Sequence, residues 1–447
     1  MFDTVELFSG VIRFDPLTLA INLLLMVHFV YDWYKMYKAT GMKLDYWTLT
    51  TSLTYFLPFL IIYPFSSSFF NVISVGDNIW LIQKAIGTAY YIFLLGYASM
   101  YFGRYIFDRY SYKTYINALL IKPIRGTLTK LFLATVKSVY TTTILFLIYF
   151  LALMAILAYA RSIGAVDVRG IFQANPAIRA LYNFVLILSS LVSLLLIGRI
   201  FQYNKLVDKV LLFFFFIITI FIGARAYTAQ PIIYLFVFYV LFELKGRINL
   251  LKVFGLGFTL LFFGIALSAL REGNFSPTSI AVTFVSQVFY GNSYSDLRDF
   301  AWVYAYWDKS LLFGKTYLAG FMSFVPSFLS DFRTEWAIGK FTATTVGFDP
   351  MEHPGLRPGL FGESYFNFGL IGVALFGTFL GYAYRYIDFS IKNAAFDDNK
   401  LAGIASIVST MFIFNLAITA GFFSLYVFLI VLILGSAFTK ALKVLSK

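Results

Sequence analysis

Eight arginines, Arg161, Arg169, Arg179, Arg225, Arg271, Arg298, Arg333 and Arg357, fall in alternate intervals between the long apolar segments of this chain. The guanidinium is planar, permanently charged and forked, a shape matched to phosphate and pyrophosphate oxygens. Several of them on one side of a membrane point to an anionic, lipid-linked ligand. The plainer alternative for each is a salt bridge with a carboxylate of the same region, among them Asp296, Asp299, Asp331, Glu335, Asp349 and Glu352. Arg225 is the sharpest case. It sits in Ile222-Gly223-Ala224-Arg225-Ala226-Tyr227, where one apolar segment ends and the next begins after a very short turn. A charge so near hydrocarbon is costly unless paired. Arg225 is therefore either a pyrophosphate clamp or an arginine snorkelled to lipid headgroups. Arg271, with Glu272 beside it, directly follows another apolar segment and is a second clamp or an interfacial anchor.

The stretch from His353 to Gly372 reads HPGLRPGLFGESYFNFGLIG. Its prolines and glycines fix a tight path that sets His353, Arg357, Glu363 and Asn367 near the membrane surface. Glu363 stands at the head of an apolar helix. It reads as a general base for a sugar hydroxyl, or as a carboxylate capping that helix. His353 is the other candidate base, with a solvated loop histidine as its plain alternative.

Other chemistries are excluded by composition and motif. There is no cysteine, so disulfides, thiolate metal sites and cysteine nucleophiles are absent. With only His28 and His353, a multi-histidine metal site is absent too. The chain holds no GxxxxGK(S/T), no GxGxxG after a strand, no HExxH and no GxSxG. A nucleotide cofactor is not expected, nor any other.

The elements that position these residues are membrane helices. Hydrophobic residues make up 60% of the chain and charged residues only 13%, a balance that no soluble fold of 447 residues could bury. Apolar runs long enough to cross a bilayer lie at 17–34, 46–63, 79–103, 134–160, 180–198, 206–223, 229–244, 250–270, 366–386, 401–418 and 422–440. The expected fold is an all-α polytopic membrane protein with about eleven transmembrane helices. Lys84 lies just inside the third run and reads as a snorkelling side chain.

The net charge of +13 reads as the positive-inside rule, not as a nucleic-acid surface, since no soluble basic face with base-stacking groups is present. Alternate intervals carry Lys35, Lys38, Lys43; Arg104, Arg109, Lys113, Lys122, Arg125, Lys130, Lys137; Arg199, Lys205, Lys209; Lys245, Arg247, Lys252; Arg385, Lys392, Lys400; and Lys440, Lys443, Lys447. These 22 of the 35 basic residues mark the cytoplasmic side. The acidic N-terminus, with Asp3, Glu6 and Asp15, then lies outside and the C-terminus inside, and an odd number of spans agrees. That N-terminus lacks a basic n-region, so the first apolar run is expected to stay as a helix.

The organisation expected is an N-terminal membrane region over 1–270 with about eight helices, a large extracytoplasmic loop over 271–365, and a C-terminal membrane region over 366–447 with about three helices. The loop is rich in Trp, Phe and Tyr and is expected to fold. Its segments 279–290 and 297–307 have helical spacing and are expected to lie along the membrane surface. No internal repeat appears, and no matching pair of broken helices.

Three loop motifs carry a family resemblance. They are Tyr290-Gly291-Asn292-Ser293-Tyr294-Ser295-Asp296-Leu297-Arg298-Asp299-Phe300-Ala301, then Phe313-Gly314-Lys315-Thr316-Tyr317-Leu318 with Phe324-Val325-Pro326-Ser327, then Gly355-Leu356-Arg357-Pro358-Gly359-Leu360-Phe361-Gly362-Glu363 with Asn367-Phe368-Gly369 and Gly372. Together with Gly223-Ala224-Arg225 they resemble the O-antigen polysaccharide polymerases (Wzy type).

The resemblance implies a GT-C-like membrane glycosyltransferase of the bacterial inner membrane. It implies polymerisation of undecaprenyl-pyrophosphate-linked oligosaccharide repeat units on the periplasmic face, for O-antigen or a related surface polysaccharide, without an obligatory metal. An acceptor hydroxyl would displace lipid pyrophosphate, and arginines would stabilise the charge on the leaving group. The carry-over assigns Arg225, Arg271 and Arg357 to pyrophosphate and Glu363 to base work. Asp296, Arg298, His353, Arg161, Arg169 and Tyr294 would bind the glycan. The partners implied are lipid-linked glycans, membrane lipids, a chain-length regulator and a flippase, with no nucleic acid. The alternatives are an O-antigen ligase, or a flippase for the same lipid-linked sugars.

Overall fold

The computed structural model describes residues 16–40, 45–52, 55, 79–110, 121–163, 176–221, 225–247, 255–259, 262, 264, 266, 276, 295–350, 353, 355–394, 399–414 and 421–445. Among the described residues the ordered elements are helical. They are α1 (Pro16–Thr40), α2 (Tyr46–Thr51), α3 (Ile79–Tyr110), α4 (Lys122–Lys137), α5 (Val139–Ser162), α6 (Pro176–Tyr203), α7 (Leu206–Phe221) and α8 (Arg225–Phe242). They continue with α9 (Asp296–Tyr306), α10 (Lys315–Phe321), α11 (Asp331–Glu335), α12 (Ile338–Thr345), α13 (Gly359–Ala394), α14 (Lys400–Phe414) and α15 (Gly421–Leu445). Short 3-10 turns cover Met322–Phe324 and Ser327–Leu329.

Six of the described helices, α1, α3, α5, α6, α13 and α15, are long and apolar enough to cross a membrane, which makes this a multi-pass membrane protein. The apolar cores of α8 and α14 are shorter. Most of the runs expected at 46–63 and 250–270, and all of the loop segment 279–290, lie outside the described residues.

By its contacts the chain divides into two compact units, each assembled from separate stretches. One holds residues 1–111 and 248–388, the other 112–247 and 389–447. The discontinuity of the first arises because α13 packs back on α3.

In the first unit, α1, α3 and α13 run the same way, as the odd-numbered spans of the sequence reading must. A polar ladder joins α1 to α3. Thr18 Oγ1 meets the Tyr91 hydroxyl at 3.1 Å, the Tyr90 hydroxyl donates to Asn22 Oδ1 at 2.5 Å, and the Tyr101 hydroxyl donates to Asp32 Oδ2 at 2.7 Å. Such interhelical bonds act as glue where the hydrophobic effect gives none. Helix α3 meets α13 through small residues. A Cβ at Gly103 would lie 1.9 Å from the Thr378 carbonyl oxygen, and one at Gly381 2.0 Å from that of Met100. The two backbones are in contact, and any side chain there would separate them.

Helix α9 packs on α3, with the Phe300 ring 5.7 Å from Phe93 and 5.2 Å from Phe366. Every residue from Leu297 to Val303 is buried. The expectation that 297–307 lies along the membrane surface is thus overturned. Helical spacing of apolar residues is the same whether the apolar face meets lipid or protein, and here protein surrounds it.

Helix α13 is broken once. Gly369 has φ 63° and ψ −152°, between helical stretches 359–368 and 370–394. The break frees the carbonyls of Phe366 and Asn367 from their usual partners. The backbone amides of Leu312 and Phe313 donate to them at 2.9 and 3.0 Å. The loop therefore supplies the hydrogen bonds that the helix has lost.

The second unit is a helical bundle. Its feature least visible in sequence is α4. The basic residues of 122–137 read as a link on the cytoplasmic side, and the fourth apolar run covers 134–160. The structure instead ends one helix at Lys137 and starts the next at Val139. Helix α4 lies lengthwise along α14 and α15, with Thr129 Oγ1 donating to Ser409 Oγ at 3.1 Å and Thr135 Oγ1 reaching the Leu432 carbonyl at 3.4 Å. Its buried stripe is Leu128, Phe132, Thr135 and Val136. Lys122, Lys130 and Lys137 are exposed away from that stripe and lower the helix's hydropathy. Lys122 and Arg125 consequently stand near the Ile413 and Leu425 end of the bundle, where Pro123 and Ile124 line a groove with those residues.

Candidate functional site

The candidate site is built at the head of α13, in the first unit. Its approach is the strand of loop from 353 to 358. Thr342 of α12 holds it, accepting from the Leu356 amide at 2.9 Å and donating to the Leu356 carbonyl at 3.0 Å. His353 belongs to this path. Its Nδ1 accepts from the Gly355 amide at 3.1 Å, and its ring lies 4.5 Å from that of Phe348. With Nδ1 engaged as an acceptor, the proton of the neutral ring sits on Nε2. These contacts make His353 a shaper of the loop.

Two acidic residues open α9, where the positive end of the helix dipole favours them. Asp299 is buried and bound from three sides. Arg298 Nη2 and Nε donate to its Oδ1 at 2.8 and 3.0 Å, and Ser295 Oγ donates to its Oδ2 at 2.8 Å. The Arg357 amide also reaches Oδ2, at 3.3 Å. One buried carboxylate thus ties the start of α9 to the approach of α13, and Arg298 is spent on it.

Asp296 is different. Its side chain is accessible yet ringed by protein. The loss of surrounding water pushes its carboxyl up to about 6, against the pull of the Arg357 guanidinium, with Asp299 adding to the rise. Gly359, the first residue of α13, makes room for it, since a Cβ there would lie 2.9 Å from Asp296 Oδ2. Arg357 itself is exposed. An accessible carboxylate that titrates near neutrality beside an exposed guanidinium can both move a proton and hold an anion.

Glu363 lies one turn into α13 and is buried, only 6% exposed. Its Oε1 accepts from Thr316 Oγ1 at 2.8 Å. Asn367 Nδ2 donates to the same Thr316 oxygen at 2.7 Å and to the Glu363 carbonyl at 2.8 Å. The donor chain runs Asn367 to Thr316 to Glu363, and it clamps α10 onto α13. Thr316 lies in the second loop motif, which by itself assigns it no role. It lies 47 residues from Glu363 along the chain, and no spacing rule links the two.

The remaining expected residues belong to the second unit or lie outside the described residues. Arg161 is exposed near the end of α5, in the second unit. Arg225 opens α8, also in the second unit, and its side chain lies outside the described residues. Arg169, Arg271 and Tyr294 lie outside them altogether. The structure therefore gathers Asp296, Arg298, Arg357 and Glu363 in one unit. No family model, characterised protein or solved structure matches the chain. The resemblance noted above rests on its motifs.

Proposed function

We propose that this chain is a membrane-embedded glycosyltransferase that takes a lipid-pyrophosphate-linked glycan as donor and joins repeat units on the extracytoplasmic face, as the polymerases it resembles do. The observation that carries the reading is the Asp296–Arg357 pair at the head of α13, with the carboxyl of Asp296 at about 6. In the step proposed, the oxygen of an acceptor hydroxyl bonds to the anomeric carbon of the donor. The bond from that carbon to pyrophosphate oxygen breaks, and lipid pyrophosphate leaves. The hydroxyl proton passes to the Asp296 carboxylate, and Arg357 offsets the charge on the leaving group. Glu363, buried and committed to Thr316, suits a positioning role better than direct contact with substrate. Arg225 and Arg271 remain proposed contributors to the pyrophosphate site.

The test is the length distribution of the surface glycan in cells lacking the gene, restored with wild type, Asp296→Asn, Arg357→Ala or Glu363→Gln. A polymerase leaves single repeat units on the final acceptor when it is missing. A ligase leaves long chains on the carrier lipid, and a flippase leaves unpolymerised carrier-linked units on the cytoplasmic side. Normal chain growth in both Asp296→Asn and Arg357→Ala would sink the proposed site. Loss in Glu363→Gln with activity kept in Asp296→Asn would return the base role to Glu363.

A further inference from the structure

Residues 311–329, beside the site, carry a run of exposed apolar side chains. Phe313 is 76% exposed, Phe328 84% and Leu329 66%, and Leu318, Phe321 and Phe324 are each more than half exposed. Each such side chain forgoes the gain of burial if water surrounds it. Surfaces that face water rarely gather so many.

Two further observations say what covers them. First, the segment is continuous with a membrane-crossing helix. The Tyr317 ring stacks on Phe368 at 6.1 Å and on Phe376 at 4.8 Å, both on α13. Over the same length α13 exposes Leu370, Ile371, Leu375 and Phe379. Second, six backbone amides of this segment donate to carbonyls within the protein, and internal pairing is what irregular chain needs in order to enter hydrocarbon. The amides of Leu312 and Phe313 donate to the broken helix, Lys315 to Leu312, Leu318 to Gly314, Val325 to Met322 and Leu329 to Pro326. At the rim, Lys309 Nζ lies 3.6 Å from the centre of the Tyr304 ring and Lys315 Nζ 3.9 Å from that of Trp336. Lysine with aromatic rings is the chemistry of the headgroup level.

We propose that the apolar side chains of residues 311–329 are immersed in the bilayer alongside α13, with lipid acyl chains covering the face from Phe313 to Leu329 and Lys315 at its headgroup-level edge. The long loop is then not wholly extramembrane, and α10 has two faces with different partners. One lies in lipid, and the other delivers Thr316 to Glu363. If the glycosyltransferase reading holds, a lipid-linked substrate can approach the site along this shelf, but the immersion itself does not depend on that reading.

The chain has no cysteine, so single cysteines can be labelled without a background. Full-length protein in nanodiscs would carry one bimane label at Phe313→Cys, Leu318→Cys or Phe328→Cys. Ile371→Cys on α13 serves as the lipid-facing reference, and Asp308→Cys and Glu335→Cys serve as water-facing references. Nitroxides on lipid tails should quench the three shelf labels as strongly as the Ile371 label, and several-fold more than the labels at 308 and 335. A water-soluble quencher should show the reverse order. Shelf labels quenched from water like Asp308, or shielded from both quenchers, would overturn the proposal. Neither result bears on turnover, so failure here is distinct from failure of the proposed activity.

Discussion

Among the described residues, two buried arginine–aspartate pairs of similar geometry stand in different settings. In the second unit, Arg199 Nε donates to Asp208 Oδ1 at 2.7 Å, and its Nη1 reaches the Val136 carbonyl at 2.9 Å. That arginine joins the ends of α4 and α6 to the start of α7, and among the described residues Asp208, itself buried, is the carboxylate it pairs with. In the first unit, Arg298 and Asp299 form an equally close pair, 2.8 Å apart, but with Asp296 and Arg357 next to it. Desolvation of the ions works against both pairs, and both persist because each charge is matched. The first is a staple. The second is the foundation of a site, since it fixes the backbone from which an accessible carboxylate and an exposed guanidinium project. Burial of an ion pair alone therefore does not mark function. The accessible charges that it organises do.

That contrast can be broken experimentally. The largest effect expected is on turnover. Asp296→Asn should lower chain-forming activity by about 10²–10⁴-fold, the range for loss of a general base, without lowering the unfolding temperature. In a purified assay, an unaltered kcat in this variant would remove Asp296 from the chemistry. Next in size is Arg199→Leu, which strands Asp208 and should cost about 3–5 kcal/mol of stability. The double variant Arg199→Leu with Asp208→Leu should recover most of that and keep activity. Arg298→Leu with Asp299→Leu should recover stability but not activity. Equal activity in the two double variants would erase the distinction between staple and foundation.

A smaller effect is expected at the helix break. Gly369→Ala places a Cβ where φ is 63° and ψ −152°, and strain of this kind costs about 1–3 kcal/mol. Amide exchange at Leu312 and Phe313 should quicken, because their acceptors lie beside the strained residue. Unchanged exchange would separate the break from the loop that fills it.

An effect of comparable size is a pH dependence. Asp296 titrates near 3.8 in an unfolded chain and at about 6 when folded. Folding therefore takes up a proton between these values, and this group's contribution to stability is lost as pH rises through about 6. Relative to Asp296→Asn, the wild type should lose thermal stability between pH 4.5 and pH 7. Parallel melting curves for the two proteins would show that the carboxyl is not raised.

Some of this was legible in the chain. Apolar runs place α1, α3, α5, α6, α13 and α15 because length and hydropathy alone decide whether a helix suits a bilayer. The loop motifs already contained Asp296, Arg298, Arg357 and Glu363. What they lacked was ranking. The sequence reading favoured Glu363 because it heads an apolar helix, and burial beneath Thr316 is a contact with a residue 47 positions away. Helix α4 was missed because its buried stripe is narrow and its other face is basic. The break at Gly369 was missed because one glycine among several, Gly362, Gly369, Gly372, Gly377 and Gly381, carries no mark of its own.

The sequence by itself determined the solvent, the positions of the long spans and the short inventory of groups able to do chemistry. These follow from composition and local periodicity, which need no partner. Tertiary structure decided which carboxylate is buried and which accessible, which charges are committed to each other, and which face of the loop is left for lipid. Those properties belong to pairs of distant residues, and only the packing of α9, α10 and α13 brings the pairs together.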